Sequence, residues 1–349
     1  MKRKKTKVIH VGNVAIGGDN SISIQSMTNT KTANIPATVQ QIKELAIAGC
    51  EIVRVAIPDL DSANAIKDIK KQISIPLIAD IHFDHKLAIA AIQAGVDGLR
   101  LNPGNIGSQN KVLKVVDAIK DRRIPIRIGV NSGSISKKML RKYGVSAIAL
   151  VESALEHVSI LENADYHEIK ISVKASSVPL TIDAYKLLSS NTDYPLHLGI
   201  TEAGTEFKGT IKSSIGIGSL LAQGIGDTLR VSLTADPIKE ISIAKEILKA
   251  LHLRSGLDII SCPTCGRTEI DIISLADKVE KALHKYADND LSVAVMGCVV
   301  NGPGEAREAD FGIAGGKKEG LLFKKGEIIK KVPENNLVDE LLKLIETNS

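Results

Sequence analysis

Four times along this chain a single arginine stands between aliphatic residues: Val53-Arg54-Val55, Leu99-Arg100-Leu101, Ile126-Arg127-Ile128 and Leu229-Arg230-Val231. A period of two places these residues on strands with one apolar and one polar face. The same alternation continues where Ile169, Ile171 and Val173 interleave with Glu168, Lys170, Ser172 and Lys174, and where Leu196 and Leu198 flank His197. Between such runs lie amphipathic stretches of helical period, including 37–48, 61–72, 84–94, 109–120, 146–163 and 238–252. Strand and helix in strict alternation specify parallel strands joined by helical crossovers. An open doubly wound sheet buries both faces, and its strands read as unbroken apolar runs. A polar second face needs a lumen, so the pattern predicts a (β/α)8 TIM-type barrel over about residues 20–253. Its eight strands are expected at 22–27, 51–57, 76–82, 98–102, 125–131, 168–174, 195–201 and 228–234.

Past a polar hinge at Arg254-Ser255-Gly256 the pattern becomes that of a small α+β domain. Strands are expected at 257–261, 292–297, 311–313 and 321–329, and helices at 269–286 and 336–346. Two domains, 1–253 and 254–349, suit a chain of 349 residues. With 44% apolar and 24% charged residues the chain is neither disordered nor fibrous. Its 3% aromatics and lack of Trp remove the ring faces that base stacking needs, which argues against nucleic acid. No apolar run approaches the roughly 18 residues of a membrane span. Four cysteines in 349 residues do not make a secreted disulfide framework and fit a reducing cytoplasm. Met1 to Lys7 reads as a solvated basic tail.

The inward strand parity collects six cations, Arg54, Arg100, Arg127, Lys170, Lys174 and Arg230, against two anions, Asp80 and Glu168. Lumen ion pairs, such as Lys170 with Glu168 or Asp80, account for part of this set. Buried charge must be paired, and the surplus calls for an anionic guest. Arginine forks grip phosphate in bidentate fashion, and barrel enzymes hold substrates at the C-terminal strand ends. A diphosphate ligand is the expectation. Neutral donors and proton carriers join the set: His82, Asn102, Asn131 and Ser232 as further substrate contacts, and Glu202 in Thr-Glu-Ala-Gly. Gly-containing turns at 102–105 and 131–134 offer backbone N–H groups to oxyanions. Asp80, His82, Asp84 and His85 also admit a metal-hydrolase reading.

Cys262-Pro263-Thr264-Cys265, followed by Cys298 at the end of a neighbouring strand, has the spacing of a metal centre. Glu305 or His284 completes the shell, and spacing alone leaves an iron–sulfur cluster and a structural zinc both open. Cys50 reads as a buried small hydrophobe.

The stretches 11–19, Ser26-Met27-Thr28-Asn29-Thr30, Ala79-Asp80-Ile81-His82-Phe83, Leu101-Asn102-Pro103-Gly104-Asn105-Ile106, Arg127 to Ser134, Gly199-Ile200-Thr201-Glu202-Ala203-Gly204, Cys262 to Arg267 and Cys298 to Glu305 resemble the bacterial 4-hydroxy-3-methylbut-2-enyl diphosphate synthase family over nearly the whole chain. That resemblance implies reductive ring opening and dehydration of 2-C-methyl-D-erythritol 2,4-cyclodiphosphate in isoprenoid precursor synthesis, with electrons from flavodoxin or ferredoxin. It implies a 4Fe-4S cluster on Cys262, Cys265, Cys298 and Glu305, the last yielding its place to a substrate oxygen. It also implies phosphate contacts from Arg54, His82, Arg100, Arg127, Lys174, Arg230 and Ser232, Asn131 nearby, and Glu202 beside the reacting carbons. The chain resembles the short two-domain bacterial form; Ala15 and Ala56 stand where Pro and Thr are expected. A helix over 238–252, about 22 Å long at 1.5 Å per residue, returns the chain to the barrel's bottom, which predicts a head-to-tail homodimer. A zinc-stabilised barrel hydrolase acting on a phosphorylated metabolite is the alternative. A non-catalytic electron carrier has no need of six lumen cations.

Overall fold

The structure is a computed structural model that describes residues 2–81, 84–101, 109–298 and 306–348. It divides into two compact units, Met1–Leu253 and Arg254–Ser349.

In the first unit a short hairpin, β1 (Ile9–Val11) and β2 (Val14–Ile16), precedes eight parallel strands. These are β3 (Ser23–Met27), β4 (Ile52–Ala56), β5 (Leu77–Ile81), β6 (Gly98–Leu101), β7 (Ile126–Asn131), β8 (Ile169–Lys174), β9 (His197–Leu198) and β10 (Thr228–Leu229). Each pairs with its neighbour in order, and β10 returns to pair with β3. The ring is completed by one bridge, Ile171 to Leu196, with the Ile171 N–H donating to the Pro195 carbonyl at 3.0 Å. The barrel is as expected, but its last two strands are much shorter than the predicted 195–201 and 228–234. Past Leu198 the ladder continues as single bonds, such as Arg230 N–H to the Leu198 carbonyl at 3.0 Å.

Outward residues of the strands, among them Val53, Leu99, Ile126, Ile171 and Leu229, form one aliphatic core with the helices. The helices begin where short polar side chains satisfy free N–H groups: Asn34, Asp59, Ser136, Ser146, Ser177 and Asp236 all cap in this way. Asp84 is another such cap, accepting from the Lys86 N–H at 2.9 Å.

At the strand-start end Ile9, Val11 and Ile16 of the hairpin pack on Ile52 and Ile78 and plug the barrel. The segment before it is no solvated tail. Lys4 donates its N–H to the Gly224 carbonyl at 2.9 Å and its ammonium to the Ser189 and Thr192 carbonyls, while Lys7 N–H reaches the Asp193 carbonyl at 2.7 Å. Arg3 donates to the Gly18 carbonyl at 2.6 Å. The Lys4 ammonium satisfies carbonyls at the end of helix Val178–Asn191, a role that composition alone does not reveal.

The second unit is a five-stranded sheet in the order β11 (Leu257–Ser261), β12 (Leu291–Met296), β13 (Phe311–Gly316), β14 (Glu319–Lys324) and β15 (Glu327–Pro333). The first three are parallel and the last two antiparallel. Helices Ile272–Leu283 and Leu337–Asn348 cover one face through Leu275, Val279, Leu341 and Ile345. The single strand expected at 321–329 is a hairpin, because Lys325 and Gly326, at φ 48° and 79°, make a left-handed two-residue turn.

Candidate active site

The inward residues of the barrel build a cavity of about 180 Å³, lined by Arg54, Asp80, Arg100, Arg127, Asn131, Ser172, Lys174, Ile200, Thr201, Arg230 and Ser232. Register explains the convergence: Arg100 lies opposite both Asp80 and Arg127, and Lys174 lies opposite Asn131. Seven residues expected to contact substrate therefore share one wall: Arg54, Arg100, Arg127, Asn131, Lys174, Arg230 and Ser232. His82, Asn102 and Glu305 lie outside the described residues. Sequence reasoning missed Ser172 and Thr201, which carry no charge to draw attention.

Charge within the cavity is unbalanced. Asp80, 3% exposed, receives Arg54 at 3.4 Å and Arg100 at 3.1 Å. Arg230 reaches Glu240 at 3.3 Å. Glu240 comes from the first turn of helix Pro237–Ala250 and was not anticipated, since strand parity says nothing about helix residues. Glu168 is not a lumen anion: it lies at the strand-start end and pairs with Arg123 on the surface, because residue 168 precedes β8. Lys170 consequently has neither anion as a hydrogen-bond partner. Arg127 keeps its Nε and Nη1 without a hydrogen-bond partner among the described residues.

The protonation equilibria respond as charge crowding requires. Burial, opposed by Asp80, brings Arg54 down to about 10. Burial and then the neighbouring arginines push Arg127 and Lys174 well below their ordinary values. Such a wall is poised for a polyanion, whose arrival removes the repulsion. A larger cleft of about 520 Å³ at the opposite end carries no such surplus, since Asp97 pairs with Lys70 and Glu168 with Arg123.

Gly199 shows how closely the wall is fitted. A Cβ there would stand 2.5 Å from the Lys174 Nζ and 2.7 Å from the Arg230 carbonyl oxygen. Gly199→Ala is expected to lower stability by about 1–3 kcal/mol and to weaken substrate binding severalfold by displacing Lys174. Thermal denaturation and calorimetric titration with substrate check this; a variant that binds as well as the parent would mean Lys174 does not touch the ligand.

Glu202 sits outside the lining residues, exposed, with φ of 52°. A non-glycine residue in the left-handed region costs of order 1 kcal/mol and is retained where geometry demands it.

The second unit carries three of the four free cysteines, and Cys262 and Cys298 follow the neighbouring parallel strands β11 and β12. Cys262 follows β11 and its N–H donates to the Val295 carbonyl at 3.2 Å; Cys298 follows β12 by two residues. The Cys262 Sγ accepts the Gly297 N–H at 3.1 Å. Cys265 is exposed, and the Arg267 N–H and Thr268 hydroxyl hold its thiol below the ordinary value. Backbone donors to sulfur and a lowered thiol suit soft-metal ligation. Among the described residues no three Cys, His, Asp or Glu side chains are grouped closely enough to hold a metal ion. Cys50 is the expected buried hydrophobe, its thiol pushed up to about 12 by burial.

No helix among the described residues is long and apolar enough to cross a membrane. The barrel resembles dihydropteroate synthase of Yersinia pestis at a TM-score of 0.51 and 13% identity, over 70% of this chain and 98% of that one, a likeness of fold alone. Two sequence relatives, both named 4-hydroxy-3-methylbut-2-en-1-yl diphosphate synthase (flavodoxin), are far more similar. That of Clostridium perfringens is 62% identical over 349 residues, covering 99% of this chain and all of the relative. That of Geobacter sulfurreducens is 60% identical over 346 residues, covering 99% and 98%. Their names lend nothing to a zinc-stabilised hydrolase. Residues 6–245 match the GcpE TIM-barrel domain and residues 258–347 the GcpE protein C-terminal domain, so the chain belongs to the GcpE family.

Proposed function

We infer that this protein reductively opens and dehydrates 2-C-methyl-D-erythritol 2,4-cyclodiphosphate to 4-hydroxy-3-methylbut-2-enyl diphosphate, an oxidoreductase step of isoprenoid precursor synthesis. The observation that carries the reading is the surplus of buried cations in the barrel, which a diphosphate neutralises. Arg54, Arg100, Arg127, Lys174 and Arg230 bind and orient the two phosphates, while Asn131 and Ser232 supply neutral hydrogen bonds. Expelling a hydroxyl as water needs a proton, and Glu202 is the carboxyl proposed to hold it at its Oε atoms.

Cys262, Cys265 and Cys298, with Glu305, would hold a 4Fe-4S cluster. When bound, such a cluster supplies single electrons and a Lewis-acidic iron. The donor is proposed to be flavodoxin, as in the relatives' names, or a ferredoxin, and the compartment the cytoplasm, where free thiols stay reduced. We further propose a head-to-tail homodimer. Helix Pro237–Ala250 runs back from the cavity end of the barrel, so the chain leaves the first unit away from its own cavity.

Protein purified without air, given reduced flavodoxin and the cyclic diphosphate, is expected to release the linear product; protein that lacks iron and turns nothing over would sink the reading. Glu202→Gln is expected to keep substrate affinity and lose turnover by roughly 100-fold or more. Full turnover in that variant would remove Glu202 from the chemistry.

A further inference from the structure

Beneath the substrate cavity the barrel contains a second polar layer that the proposed chemistry does not use. Lys170, 1% exposed, lies on the same face of β8 as Ser172 and Lys174, two residues or about 7 Å below Ser172. Its Nζ has no hydrogen-bond partner among the described residues. Around it stand further buried groups in the same condition: both ring nitrogens of His197 on β9, the Thr228 hydroxyl on β10, and the Ser23 hydroxyl and Gln25 amide on β3. Thr228 lies opposite both His197 and Ser23, so these three share one level of the barrel, and Gln25 stands two residues further along β3. Arg127 stands directly across from Lys170 on β7.

A buried ammonium with no partner and arginines for neighbours is unstable as a cation, and a neutral amine is the form such surroundings favour. We propose that Lys170 is a further residue of the substrate site, acting from one pleat beneath it: neutral in the empty barrel, it takes up a proton when the diphosphate enters and sets an additional positive charge under the anion. The proposal rests on the reading of the cavity as a diphosphate site.

The groups facing Lys170 from each neighbouring element agree. Burial, then Arg127 of β7 and Arg54 of β4, lower its proton affinity, bringing its pKa to about 7, while Asp227 ahead of β10 raises it. Asp227 is already engaged by the Leu196 N–H at 2.8 Å and the Thr6 hydroxyl at 2.9 Å, so it donates charge without contacting the ammonium. His197 is held well below its ordinary value by burial and by Lys174, Arg127 and Lys170, so it is a poor competitor for the proton. An anion among Arg54, Arg127 and Lys174 offsets the very charges that depress Lys170, and its proton affinity must rise.

The test is calorimetric titration of the full-length cluster-loaded protein with the cyclic diphosphate at about pH 8, in buffers of different ionisation enthalpy, whose slope counts protons taken up. The parent is expected to take up protons on binding, and Lys170→Met to take up fewer by as much as about one. A second reading uses the empty protein. A lysine whose folded pKa is lowered binds fewer protons than in the unfolded chain, so stability rises between about pH 7 and the ordinary lysine value near 10. That rise in thermal midpoint should shrink in Lys170→Met. Equal proton uptake and an equal pH slope in parent and variant would overturn the proposal. Failure of the parent to bind the cyclic diphosphate at all would instead overturn the diphosphate reading and this inference with it.

Discussion

Replacing Arg127 with alanine is expected to raise the KM for the cyclic diphosphate by roughly a hundredfold, about 3 kcal/mol, while the folded protein loses no stability. In the empty barrel Arg127 is 5% exposed, two of its nitrogens lack hydrogen-bond partners among the described residues, and its neighbours Arg54 and Arg100 repel it. Removing a cation so placed relieves repulsion, which offsets the packing lost with the side chain. With a diphosphate present the same guanidinium makes charge-assisted bonds in a water-poor site, and their loss falls on binding. Phosphate is held alike in ground and transition states, so kcat should change little. Steady-state kinetics and a melting curve suffice; an unchanged KM would place the phosphates elsewhere in the barrel.

Cys298→Ser is expected to abolish turnover, by at least three orders of magnitude, and to leave substrate affinity intact. Cys298 belongs to the second unit, whose core of Val293, Val295, Ile313 and Leu341 is distinct from the aliphatic core of the barrel. A serine oxygen replaces one soft ligand of the proposed cluster and holds iron poorly. Absorption and paramagnetic resonance spectra of protein made without air should lose the cluster signature, while calorimetry still records substrate binding in the barrel. If the proposed homodimer works in trans, mixing Cys298→Ser chains with Arg127→Ala chains should restore part of the activity. A Cys298→Ser protein that retains its spectrum and its rate would remove this cysteine from the metal site.

What the sequence made legible was periodicity. Isolated cations between aliphatic neighbours, four arginines and Lys174, marked strand parity and five cavity cations, because a barrel strand forces alternate residues inward wherever it lies in the ring. Groups that reach the lumen from elsewhere carry no such mark. Glu240 sits in a helix whose pattern is ordinary, yet it holds Arg230 and also accepts the Leu233 N–H at 2.9 Å. Met27 likewise brings its sulfur to Arg54 Nη2 at 3.0 Å, a contact that only strand neighbours reveal. Glu168 was misplaced for the opposite reason. Its parity is inward, but it lies one residue ahead of the ladder, where the polypeptide still faces solvent and Arg123 is at hand. Lys4 reads as solvated because local sequence cannot show that the carbonyls it satisfies lie some 180 residues away, at Ser189 and Thr192.

One bridge joins β8 to β9, whereas β7 and β8 share a six-residue ladder. The barrel wall is thus stiff on its arginine side and compliant beside Lys174 and Gly199, since local opening follows the weakest hydrogen-bonded stretch. Amide protons along that seam are expected to exchange with solvent sooner than those that β7 and β8 share.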